Sequence, residues 1–142
     1  MKVATKLRGG GSSVLKLDYG DPNVIKKLLR NWSGMEALSL RGDRDATCVL
    51  VDLQEATGID LTGFEKEYFY EFIEKRNKEV LSKDEFIAVS FVLVLGYSQP
   101  EVAFIFGLSQ QWISKNIKFG VKRISDYLEG RIISGKVFKS RR

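Results

Sequence analysis

The chain has no histidine and one cysteine, Cys48. Zinc fingers, Cys–His hydrolases and imidazole general bases are thereby excluded, leaving carboxylates and lysines as the groups available for catalysis. A lone cysteine closes no internal disulfide, so nothing points to secretion. Cys48 itself, within ATCVLVDL, reads as a small buried side chain. Long apolar runs are missing too. The longest, Phe86 to Leu95, is broken by Ser90 and is far too short to cross a bilayer, and no apolar signal core opens the sequence. The expected location is cytoplasmic and away from membranes. Only two prolines occur, and both Pro22 and Pro100 stand where a helix begins, the one helical position that needs no amide hydrogen. What is abundant suits one domain, or a small domain with an extension: 142 residues, 44% hydrophobic, 11% aromatic and 29% charged, with a net charge of +5.

The segment SQPEVAFIFGLSQQWISKNI, residues 98–117, carries the most functional information. Ser98 and Glu101 have the spacing of a capping box and start a helix at Gln99. Val102, Ala103 and Phe106 share its inner face, and Gly107 supplies the positive φ that ends it. Leu108 fills the corner and Ser109 caps the next helix. There Ile113, Ile117, Val121, Ile124 and Leu128 form an apolar stripe up to an expected stop at Gly130. Two helices around a Gly-Leu-Ser turn form the helix-turn-helix pattern that presents side chains to the DNA major groove. On the polar face, Gln110, Gln111, Ser114 and Lys115 suit base edges, while Lys118, Lys122 and Arg123, further along, suit phosphates. The alternative is an exposed helix whose polar face is only solvated. Charge favours the first reading: nine basic residues from Ser109 to Arg142 face only Asp126 and Glu129, whereas residues 1–80 carry 13 basic and 13 acidic side chains.

Leu81 to Leu128 resembles the promoter-reading fourth region of bacterial sigma factors, and phage or prophage transcriptional regulators that contain only that region. The resemblance rests on Leu81-Ser82, Gly96-Tyr97-Ser98, Glu101-Val102-Ala103, Gly107-Leu108-Ser109, Ile113-Ser114-Lys115 and Lys122-Arg123-Ile124. It implies that the helix from Gln110 to Lys118 enters the major groove, with Gln110, Gln111, Ser114 and Lys115 at the reading positions. Pro100 and Trp112 depart from the pattern. Phe119 and Tyr127 extend from Trp112 as a second apolar line, so this helix needs a second covering surface, either the N-terminal half or another copy in a homodimer.

Elsewhere the chain divides into a basic, glycine-rich arm at 1–20, an N-terminal helical region at 21–80, the helix-turn-helix region at 81–130 and a basic tail at 131–142. The arm reads as a mobile phosphate-contacting segment or an unstructured tail. Helices are expected from Asp21-Pro22, around Met35 to Leu40, and from Gly42-Asp43 to Gly58. Thr62 and Glu65 repeat the capping-box spacing ahead of an aromatic stripe, Phe64, Tyr68, Phe69, Phe72 and Ile73, which is expected to pack on Trp112 and Phe119. Ser82 and Glu85 form a third box before Phe86–Leu95, apolar nearly all round and hence central. Gly130 to Lys136 has the glycine and lysine spacing of a nucleotide-binding loop, but Val137 replaces the hydroxyl that would hold magnesium and no strand precedes it. Asp43, Asp45 and Asp52 lack metal-site partners. No metal, cofactor or catalytic residue is expected.

The reading that results is an all-α protein of five or six helices with a C-terminal helix-turn-helix and a long last helix. Its expected role is a non-enzymatic, sequence-specific regulator of transcription that binds double-stranded DNA, with RNA polymerase as a possible partner. No aromatic-rich melting region precedes the motif, which argues against a complete sigma factor. Two alternatives stand beside it. A phage terminase small subunit recognises DNA for a packaging motor, although such proteins usually place the helix-turn-helix first. A protein-only module would bind polymerase through the same helices.

Overall fold

The computed structural model describes the backbone of residues 17–133 and the side chains of residues 17–130. No strand occurs among them. Seven α-helices follow in order: α1 (Pro22–Arg30), α2 (Trp32–Leu40), α3 (Arg44–Thr57), α4 (Phe69–Glu74), α5 (Lys83–Ile87), α6 (Gln99–Phe106) and α7 (Gln110–Ile133). A 3₁₀ turn, Lys66–Tyr68, leads into α4, and a π-helical stretch, Ala88–Val94, continues α5. The count is seven against the expected five or six, and the helix expected around Met35 to Leu40 starts earlier, at Trp32, separated from α1 by Asn31 alone. Trp32 faces inward and is fully buried, so core packing draws the chain straight back into helix.

Side-chain caps set most helix starts. Asp21 accepts from the Asn23 amide at 2.9 Å with Pro22 behind it, and Asp43 accepts from the Ala46 amide at 2.9 Å. Both later boxes are complete: Ser82 pairs reciprocally with Glu85, and Ser98 with Glu101. The box expected at Thr62 and Glu65 does not form. Asp60 captures the Thr62 amide at 3.0 Å, Gly63 turns, Glu65 is extended, and the helix proper starts only at Phe69. A short acidic side chain competing for the local backbone defeated the Thr cap. Nor does Gly130 stop the last helix, which runs on to Ile133. One glycine inside a helix costs about 1 kcal/mol against alanine, too little by itself to end it.

α7 is the spine of the molecule. Ile113, Ile117, Val121, Ile124 and Leu128 are all buried, and α1, α3, α5, the π stretch and α6 pack around them. One continuous buried cluster runs from Tyr19 to Leu128, so both halves of the chain share a core. α7 and the π stretch approach closely at Gly120, where a β-carbon would stand 2.7 Å from Cγ2 of Val89. The Phe86–Leu95 segment is central, as its composition requires, but departs from α-helix. The Leu95 amide bonds the Ser90 carbonyl five residues back at 2.8 Å, and the Ser90 hydroxyl bonds the Phe86 carbonyl at 2.6 Å.

The aromatic stripe finds partners other than those expected. Phe91 is ringed by Phe69 and Phe106 at 5.0 Å between centroids and by Phe72 and Tyr97 at 5.8 Å. Phe106 of α6 is thus tied to Phe69 at the start of α4, and that contact fixes α6 on the body. Trp112 and Phe119 are not in this cluster; they are 42% and 47% exposed. Cys48 is exposed as well, since α3 buries the line Ala46, Val49, Leu50, Leu53 and Ala56 on its other side. The expected arm ends earlier than Gly20. Tyr19 is buried, its hydroxyl donates to Asp52 at 2.9 Å, and its carbonyl accepts from Ser125 of α7. The rest of the arm, residues 1–16, lies outside the described residues, as do the side chains of the tail from 131 onward.

Candidate nucleic-acid interface

The α6–turn–α7 unit is built from its own local chemistry. Gly107, at φ 68°, is the left-handed residue that ends α6, and the Gly107 and Leu108 amides both bond the Ala103 carbonyl. Ser109 then caps α7: its hydroxyl accepts from the Trp112 amide at 3.0 Å and its carbonyl from the Ile113 amide at 3.0 Å. Val102 and Ile113 are both fully buried, and they anchor the two helices on the core. At the far end of α6, the Ser98 amide bonds Glu101 at 2.9 Å. That backbone hydrogen bond, with the Ser98 hydroxyl second, holds the Glu101 carboxyl below its usual range.

Gln110, Gln111, Ser114, Lys115 and Lys118 are all solvent-exposed. Gln110, Gln111 and Ser114 line an open depression of about 460 Å³ together with Ser109 and Gln99. Gln99 is a residue that sequence reasoning passed over. Its signal was available in its place at the start of α6, since the first helix of such a pair lies across the phosphate backbone.

The expected phosphate residues are less uniform. Lys122 pairs with Asp126 one turn on, at 3.3 Å, in an exposed bridge of a kind worth about 0.3–0.5 kcal/mol, which a phosphate can displace. Arg123 is otherwise engaged: its Nε donates to Glu85 Oε2 at 2.8 Å, while the other oxygen of that buried carboxylate accepts the Ser82 amide at 2.9 Å. Arg123 therefore fastens α7 to the start of α5. Lys118 has no ion pair among the described residues.

The charge pattern needs correction as well. Of the nine basic residues after Ser109, five lie in 131–142, and residues 1–16 hold four more, with no acid in either segment. Residues 17–130 consequently carry 14 basic side chains against 18 acidic ones. The positive excess belongs to the two terminal segments, and the exposed arc of α7 is a small basic strip on an acidic body.

Among the described residues no three His, Cys, Asp or Glu side chains are placed to hold a metal ion, and no helix is long and apolar enough to cross a membrane. Comparisons with protein-family models, with curated proteins and with solved structures found no match.

Proposed function

We propose that the protein binds double-stranded DNA sequence-specifically as a regulator of transcription, of the phage type that its sequence resembles. The α6–turn–α7 unit acts as the helix-turn-helix, and the outward face of α7 is the reading surface. One observation carries the proposal: Gln110, Gln111, Ser114 and Lys115 stand open to solvent together in the first turns of a helix whose stripe from Ile113 to Leu128 is buried in the core. Amide side chains can pair bidentately with adenine and the lysine with guanine, while Lys118 and Lys122 lie along the same arc for phosphates. The start of α6, with Gln99, would lie toward the backbone.

Selection of duplexes from a random pool, followed by binding measured against salt, tests it. A preferred sequence and a negative slope of log K against log salt are expected. Absence of any enriched sequence would remove the reading role.

A second reading, a protein-only module that docks on polymerase, is favoured by the outer side of α6. Phe104 there is 89% exposed beside the partly exposed Ile105, more apolar surface than a solvated helix requires. Phe104→Ala separates the two: it should leave DNA affinity unchanged and weaken capture of polymerase if that docking occurs.

A further inference from the structure

The outward arc of α7 has two unlike edges. At 100° per residue, with the buried stripe opposite, Lys115 falls at the middle of the arc; Gln111, Lys118 and Lys122 lie to one side, and Trp112 and Phe119 to the other. Two aromatic rings seven residues apart thus border Lys115 on the same helix, while Gln110 and Ser114 lie beyond Gln111 on the other side of the arc.

Trp112 is held in place. Its indole N–H donates to Asp84 Oδ2 at 2.6 Å, the Asn116 amide donates to its carbonyl at 2.9 Å, and the Lys115 ammonium lies 5.9 Å from the ring centroid. The one polar atom of the ring is spent on α5, and what faces outward is carbon. Phe119, two turns on, adds a second patch of the same kind, 47% exposed.

Charge decides what can cover this strip. Lys115, Lys118 and Lys122 run beside it; of the nearby acids, Glu85 is paired with Arg123 and Asp126 with Lys122, while Asp84 accepts from the neutral indole and keeps its charge, so the three lysines outnumber the one acid without an ion pair. Pairing α7 against α7 of a second copy would bring lysines against lysines. A polyanion fits instead, and the major groove of B-DNA offers one apolar feature beside its hydrogen-bonding edges, the thymine 5-methyl group.

We infer that Trp112 and Phe119 form an apolar edge of the reading surface that packs on thymine methyl groups, so that the preferred duplex contains thymine at positions facing them. The inference rests on the duplex-reading function proposed above.

Uracil differs from thymine only by the missing methyl group, which makes the test direct and lets it run on the unaltered protein. Thymines of a selected duplex are replaced one at a time by uracil and binding is followed by fluorescence anisotropy at fixed salt. At one or more positions the affinity should fall roughly three- to fivefold, the worth of one buried methyl group. Trp112→Ala or Phe119→Ala should bind thymine and uracil duplexes alike at those positions. Lys118→Ala should bind everything more weakly while keeping the thymine-to-uracil ratio. Tight binding that ignores every uracil replacement overturns the inference and leaves the duplex-reading function standing. A selected site without thymine overturns it too, as does self-association of the protein that Trp112→Ala abolishes. No anisotropy change with any duplex overturns both.

Discussion

At the scale of single residues, two side chains on α7 divide roles that charge alone would assign alike. Arg123 compensates the buried carboxylate of Glu85, whereas Lys118 projects into solvent. Arg123→Met should therefore lower the folding stability by roughly 1–3 kcal/mol, because one oxygen of a buried carboxylate is left without its charged partner. Urea denaturation measures this. Lys118→Ala should leave the denaturation curve in place and reduce the slope of log K against log salt for DNA by about 1. Gly120 is the second residue whose role comes from packing. Alanine is the better helix former, yet here its β-carbon would stand 2.7 Å from Val89 and 3.5 Å from the Glu85 carbonyl. Gly120→Ala should destabilise by roughly 1–3 kcal/mol, the usual cost of overfilling a tight core. An unchanged or raised midpoint would show that α7 and the π stretch can separate freely.

At the scale of elements, α6 is held at its start by a capping box, at its end by Gly107, and on its inner side by Phe106 against Phe69 and Phe91. The cap is sensitive to acid. Because the Ser98 backbone amide lowers the Glu101 carboxyl in the folded state, its contribution is fully present above the ordinary carboxylate range and is lost as pH falls through the lowered folded value. The melting-temperature gap between wild type and Glu101→Gln should accordingly be largest near neutrality and close in acid. A gap that widens as pH falls would contradict the sign. Glu74, lowered by its hydrogen bond to Lys78, and Asp60, lowered by the Thr62 backbone amide, act in the same direction. Acid should thus loosen the loops and caps around α4 and α6 together.

At the scale of the molecule, an acidic body carries a small basic reading strip, and the two terminal segments hold the positive excess. If those segments neutralise phosphates, replacing Lys136, Lys139, Arg141 and Arg142 by glutamine should reduce the salt slope by about 0.9 for each phosphate left unneutralised, and so by more than Lys118→Ala does. The preferred sequence should not change. Much of this arrangement could be read from the chain. The stripe Ile113 to Leu128, the boxes at Ser82 and Ser98 and the turn at Gly107 are local patterns, and each formed as spaced. What escaped depends on neighbours distant in sequence. Trp112 and Phe119 look like core by composition, but Phe91 already gathers the aromatic rings of α4 and α6, and no stripe predicts which face loses that competition. That Arg123 also pairs with Glu85, 38 residues away in sequence at 2.8 Å, no local pattern could show. The cap at Thr62 failed to a rival, Asp60, only two residues earlier. The most direct test of α7 as the reading element is a residue-resolved amide NMR titration with a selected duplex. The largest shifts are predicted along Gln110 to Phe119, with smaller ones at Gln99. Shifts confined to residues outside α7, with Gln110 to Phe119 unmoved at saturation, would contradict it.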